Sequence, residues 1–163
     1  MDEHRLSEGG EELQHLIFFR VQREWFALRV EEIREVVQRT QITRVPNAPT
    51  FLLGISNLRG KILAVFNLEF FLNLSSLKER EAPHVIILSI PNPEIDFGFL
   101  VDQVIQIREV SVGRPNELSP PTLGEGRGAF FRGALYHAGQ VINVLNPSPI
   151  ISSLVPELEE TSG

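Results

Sequence analysis

Asn47-Ala-Pro-Thr-Phe51-Leu-Leu-Gly54-Ile-Ser-Asn57-Leu58-Arg59-Gly60-Lys61-Ile-Leu-Ala64-Val-Phe66-Asn67-Leu-Glu69-Phe-Phe-Leu72 is the stretch from which the fold can be read. Two apolar runs, Phe51 to Leu58 and Ile62 to Phe66, flank Arg59-Gly60. An apolar run broken by a residue that tolerates positive φ predicts a β-hairpin. A single cation then stands at the tip of an otherwise apolar ribbon.

The pattern recurs near the other end of the chain. From Gly54 the sequence runs Gly-Ile-Ser-Asn-Leu-Arg-Gly-Lys-Ile-Leu-Ala-Val-Phe-Asn, and from Gly133 it runs Gly-Ala-Leu-Tyr-His-Ala-Gly-Gln-Val-Ile-Asn-Val-Leu-Asn. Both carry two glycines six apart, then a polar residue, two aliphatics, a valine and a closing asparagine. The match predicts one hairpin used twice, in two similar β-lobes. The second tip, Ala138-Gly139, lacks the arginine.

Working outward, Leu16 to Gln22 and Trp25 to Val30 predict another hairpin, turning at Arg23-Glu24. Glu31 to Gln38 reads as a short turn and Thr40 to Val45 as a strand, closed by Pro46 and Pro49. Leu68 to Leu74 allows one helical turn, and Ser75 to Pro83 reads as a charged loop. His84 to Ile90 and Ile95 to Val101 predict a third hairpin about Pro91-Asn92-Pro93, which the period-two run Val104 to Val112 continues. Four glycines and three prolines make 113–128 a long loop, after which Ala129 to Leu145 returns to strands. Several short, turn-punctuated strands favour small barrels over a sandwich.

At 163 residues with 42% apolar content, the chain can bury a core unaided. It has no cysteine, which excludes disulfides, thiolate metal sites and cysteine nucleophiles. No apolar run approaches the ~18 residues of a membrane span, and no signal-peptide layout opens the chain, so a cytoplasmic protein without membrane insertion is expected. The net charge of −6 sits mostly in the ends: residues 1–16 carry −4, residues 154–163 carry −3, and the middle is +1. Acidic flexible tails are expected over 1–15 and 155–163, around a body spanning 16–154. A near-neutral body gives no broad field for a phosphate backbone, so nucleic acid is not an expected partner.

No catalytic constellation emerges. His4, His15, His84 and His137 lack metal-ligand spacing, no serine lies in a Gly-x-Ser-x-Gly setting, and no cofactor motif is present. Glu31 and Glu32 are poorly placed for acid-base work as neighbours. Gly124-Glu-Gly-Arg-Gly128 lacks the following Lys-Ser/Thr of a phosphate cradle and reads as a loop. These absences favour an interaction module over an enzyme. One rival stays open: an OB-like barrel binding single-stranded nucleic acid or a small ligand, with Trp25, Phe18, Phe19 and Phe26 as stacking platforms.

The whole pattern resembles the CheW domain of bacterial chemotaxis signalling. The markers are Phe26-Ala-Leu-Arg-Val-Glu-Glu-Ile-Arg-Glu-Val-Val, Ile42-Thr-Arg-Val-Pro-Asn-Ala-Pro, Gly54-Ile-Ser-Asn-Leu-Arg-Gly, Phe97-Gly-Phe-Leu-Val-Asp-Gln-Val, Phe131-Arg-Gly and Gln140-Val-Ile-Asn-Val-Leu. The resemblance implies a mainly β fold of two intertwined five-stranded β-barrels about a shared apolar centre. It also implies a non-enzymatic adaptor without cofactor, which binds the regulatory domain of a CheA-like histidine kinase and the cytoplasmic tip of a methyl-accepting chemoreceptor. By motif matching, Val30 and Glu32 fall among the adaptor contacts, Arg59 is the signature arginine, and Gly54 and Gly98 match glycines needed for partner binding. An apolar groove at Val30, Gly54 and Leu58, rimmed by a Glu32–Arg59 pair, is the expected docking site. The chain departs from the family pattern at Ala64, Asn67 and Glu69, where a proline and an Asp-Leu-Arg are usual. Altered rim charges there are expected to change partner choice, as in a paralogue serving type IV pilus motility or phototaxis.

Overall fold

The computed structural model describes residues 12–72, 74, 82–92, 94–112 and 128–153. Residues 1–11 of the tail expected over 1–15, the tail expected over 155–163, residues 75–81 of the loop expected over 75–83, and residues 113–127 of the long loop expected over 113–128, most of its glycine cluster included, lie outside the described residues. The chain is mainly β. In order the strands are β1 (Glu12–Val21), β2 (Glu24–Arg29), β3 (Ile33–Gln38), β4 (Leu52–Leu58), β5 (Lys61–Phe66), β6 (His84–Leu88), β7 (Ile95–Val101), β8 (Gln103–Val112), β9 (Phe131–His137) and β10 (Gln140–Leu145). Two short helices follow the repeated hairpins: α1 (Leu68–Leu72) after β5 and α2 (147–153) after β10.

The strands form two five-stranded sheets, ordered β8-β1-β2-β10-β9 and β3-β6-β7-β5-β4. Adding five to each strand number, and counting round from ten, turns one order into the other. The fold is thus a duplication in which each half, β1–β5 or β6–β10, gives its first two strands to one sheet and its last three to the other. Both parallel contacts, β5 with β7 and β10 with β2, obey the same symmetry. The sheets are open and do not close into the expected barrels; beyond the ladders, a bridge pairs Thr43 with Ile55 on the outer edge of β4.

The repeat holds at the level of dihedrals. Arg59 and Gly60 have φ of 52° and 81°, and Ala138 and Gly139 have 50° and 77°, so both two-residue turns place both central residues in the left-handed region. Val65 pairs with Gly54 as Val144 pairs with Gly133, and each hairpin carries its irregularity one step further out. The closing asparagines cap the helices: Asn67 Oδ1 accepts the Glu69 amide at 3.1 Å and Asn146 Oδ1 accepts the Ser148 amide at 3.3 Å.

Three apolar clusters hold the sheets. Leu16, Phe18, Ala27, Leu135, Ile142 and Val144 fill one side of the first sheet, and Leu63, Val65, Val85, Ile87 and Leu100 fill one side of the second. The opposite sides meet in a shared core through Phe131, Phe26, Phe19, Phe99 and Phe66, whose successive ring centroids lie 6.3, 5.9, 5.5 and 5.3 Å apart. Strands buried on both faces read as unbroken apolar runs, as in Phe97–Val101 of β7.

Several boundaries differ from the sequence reading. β1 begins at Glu12, inside the expected tail, and its hairpin turns at Gln22-Arg23, where Gln22 has φ of 57°. The strand expected over Thr40 to Val45 is instead β3 at Ile33–Gln38, after a 3-10 turn at Val30–Glu32; only Thr43 of the later segment bridges. β8 does not extend the β6-β7 sheet but pairs with β1.

Candidate functional site

The Arg59 tip is braced from two sides. Its guanidinium donates to Glu35 Oε2 on β3, while its own side chain stays 65% exposed. Arg34 Nε stands 3.5 Å from the same Glu35 oxygen, and its two terminal nitrogens donate to both Asp96 oxygens at 2.7 Å. Lys61, directly after the turn, donates to Asp96 Oδ1 at 3.0 Å and to the Asn92 carbonyl at 2.9 Å. Arg59, Glu35, Arg34, Asp96 and Lys61 therefore form one chain of alternating charge.

Local backbone features make this possible. The β3–β6 register slips between Ile33 and Glu35, leaving Arg34 as an extra residue, and a bulge of this kind re-aims side chains so that neighbours can serve one network. Asp96 sits opposite Leu63 across the parallel β5–β7 pair and is buried. Its two cationic partners, Arg34 foremost, outweigh its burial and hold its carboxyl at about 2, while Arg34 is raised in return, chiefly through its hydrogen bonds to Asp96. Asn92 Oδ1 accepts the Glu94 and Ile95 amides, both at 2.9 Å, fixing the turn whose carbonyl receives Lys61. Beside the tip, Thr40, Gln41, Thr43, Ile55, Asn57 and Ile62 line a groove of about 440 Å³, in which Ile62 is 47% exposed.

The six predicted residues do not form one groove. Arg59 and Leu58 lie at the second-sheet hairpin, where Leu58 packs against that sheet's own apolar cluster. Val30 and Glu32 lie in the 3-10 turn joining β2 to β3. Glu32 pairs with Arg132 at 2.5 Å and faces Arg29 at 3.7 Å, so the expected Glu32–Arg59 pair is replaced by Glu35–Arg59. A groove of about 300 Å³ adjoins Glu32, between Leu88, Ile90, Pro147 and Ile151. Gly54 and Gly98 are both spacing residues: a Cβ on Gly54 would stand 2.4 Å from the Thr43 carbonyl oxygen, and one on Gly98 would stand 2.8 Å from that of Ile86.

The departures at Asn67 and Glu69 are not rim charges. Asn67 caps α1, and Glu69 is buried and accepts a hydrogen bond from Gln22. Of the four candidate stacking platforms, Phe18, Phe19 and Phe26 are buried in the core, and Trp25 is half-buried against the apolar cluster of the first sheet, so no row of exposed rings supports the nucleic-acid rival. Glu31 and Glu32 are both engaged by Arg29. Among the described residues no three His, Asp or Glu side chains gather as metal ligands, and no helix is long and apolar enough to cross a membrane.

Sequence reasoning missed Glu35, Arg34, Asp96, Lys61 and Arg132. One signal was available: Asp96 is a lone carboxylate in the apolar run Ile95–Val101, and a buried charge requires a partner.

With the geometry in place, comparison with known proteins is direct. A family described as CheW-like domain matches residues 15–155. The chain is 32% identical to the chemotaxis protein CheW of Rhizobium meliloti, over 91% of this chain and 92% of that protein. It is 28% identical to the chemotaxis protein CheW of Thermotoga maritima, over 85% and 88% of the two chains. The crystal structure of the scaffolding protein TtCheW from Thermoanaerobacter tengcongensis superposes with a TM-score of 0.67 at 26% identity, covering 82% of this chain and 89% of that one.

Proposed function

The chain belongs to the CheW-like domain family, and on that premise we propose that it is a non-enzymatic adaptor linking the cytoplasmic tip of a methyl-accepting chemoreceptor to the regulatory domain of a CheA-like histidine kinase. The observation that carries this reading is the asymmetry between two hairpins of equal geometry. An exposed aliphatic follows both turns, Ile62 in one and Val141 in the other, but one hairpin ends in an exposed, ion-paired Arg59 beside a groove and the other ends in Ala138. An apolar contact with a charged rim is the composition of a protein-docking surface. The separate groove lined by Glu32, Pro147 and Ile151 is assigned to the second partner.

Purified kinase regulatory domain and a receptor-tip fragment from the same genome test this assignment. The immobilised wild-type chain is expected to retain both together, and Arg59→Glu is expected to lose at least one while its circular dichroism stays unchanged. Equal retention by the variant would remove Arg59 from the docking surface.

A further inference from the structure

We infer that Asp96 is the positioning residue of the Arg59 tip: from inside the second sheet it anchors Lys61 at the base of the turn and Arg34 beside Glu35, and so sets where the Arg59 guanidinium is presented. The inference rests on the reading of Arg59 as a docking residue and adds the group that controls it.

The duplication supplies the argument. Val65 pairs with Gly98 as Val144 pairs with Ala27, so the positions equivalent to Asp96, Lys61 and Arg59 in the other half are Trp25, Gln140 and Ala138. None of the three carries a charge, yet the Ala138-Gly139 turn has the same left-handed dihedrals as Arg59-Gly60. The buried carboxylate and its two cations are therefore not required to build such a hairpin. Burying a carboxylate is costly unless its partners are well placed, and here they are placed on the two elements that hold the tip. Lys61 fixes the hairpin where its second strand begins, and Arg34, re-aimed by its bulge, bears on the Glu35 oxygen that Arg59 uses. Each arm alone leaves one side loose. Together they make the exposed guanidinium part of a connected lattice reaching into the sheet, and such support confines a long side chain that would otherwise sample many rotamers.

The test uses Asp96→Asn, which keeps shape and removes charge, with Arg34→Gln and Lys61→Met cutting the arms singly. In nitrogen-15 spectra of the free chain, wild-type Arg59 is expected to show a distinct Nη–H signal whose exchange is slowed by the bond to Glu35, identified by its loss in Arg59→Lys. That signal is expected to average out in Asp96→Asn while backbone amides outside β3 and the β4-β5 hairpin stay in place. An Arg59 signal unchanged in Asp96→Asn overturns the inference. Should Asp96→Asn fail to fold, the same signal unchanged in both single-arm variants overturns it equally. In titrations with the kinase regulatory domain, Asp96→Asn is expected to weaken binding about fivefold in the Arg59 chain and to add nothing in an Arg59→Ala chain. Equal weakening in both backgrounds contradicts action through Arg59. If Arg59→Ala itself leaves binding unchanged, the docking assignment fails, and the Nη–H signal still decides whether Asp96 positions the tip.

Discussion

Asp96 contributes stability only while it is ionised. Its carboxyl, held at about 2 by Arg34 and Lys61, lies below the ordinary aspartate value, so its contribution is complete above that ordinary value and vanishes as pH falls through about 2. A displacement of this size corresponds to about 2 kcal/mol. Denaturant midpoints measured from pH 5 to pH 2 should therefore fall more steeply for the wild type than for Asp96→Asn, whose deficit should shrink toward the acid end. Parallel curves would show that Asp96 is not the titrating group. The exposed Arg59–Glu35 pair belongs to a different class: it is expected to be worth at most about 1 kcal/mol to the fold, which leaves Arg59 open to replacement without unfolding. At this scale the sequence shows that Arg59 stands in a turn, whereas its partner is Glu35 and not the expected Glu32. Glu35 is hidden because 31–38 reads as a turn in sequence, and no spacing rule reports a bulge that turns Arg34 and Glu35 to one network.

The hairpin is the element on which both the fold and the proposed site depend. Its tip demands left-handed backbone at two successive residues, and only glycine meets that without cost. Ala138 occupies the first such position in the second copy, exposed and at φ of 50°. Ala138→Gly is therefore expected to stabilise the chain by about 0.5–1 kcal/mol, seen as a raised thermal midpoint; an unchanged or lowered midpoint would contradict the strain assigned to that turn. In the first copy Arg59 bears the same strain together with a charge, which is reason to look for its use outside the fold. The hairpin and its twin could be read from fourteen residues because glycine and asparagine spacings report turns and caps directly. The asparagine closing each copy is explained by the helix it caps.

For the whole molecule, duplication with each half divided between the two sheets is the governing fact. The first two strands of each half complete the sheet that the last three strands of the other half begin, and the phenylalanine path from Phe131 to Phe66 runs through the core the two sheets share. Pattern alone could not assign β8 to its sheet, since Val104 to Val112 alternates equally well beside β7 or β1, and only the pairing with β1 decides. The two sheets were legible as lobes, whereas their closure into barrels, expected both from the short turn-punctuated strands and from the family resemblance, is not borne out by the strand order. What duplication makes alike, the side chains then make different, and the account places the docking charge in one half only. Equilibrium titration of the kinase regulatory domain with wild type, Arg59→Glu and Ala138→Glu tests that asymmetry most directly. The account predicts that Arg59→Glu binds at least about tenfold more weakly, near 1.4 kcal/mol, while Ala138→Glu binds as the wild type does. Equal affinities for wild type and Arg59→Glu, or an equal loss in both variants, would contradict it.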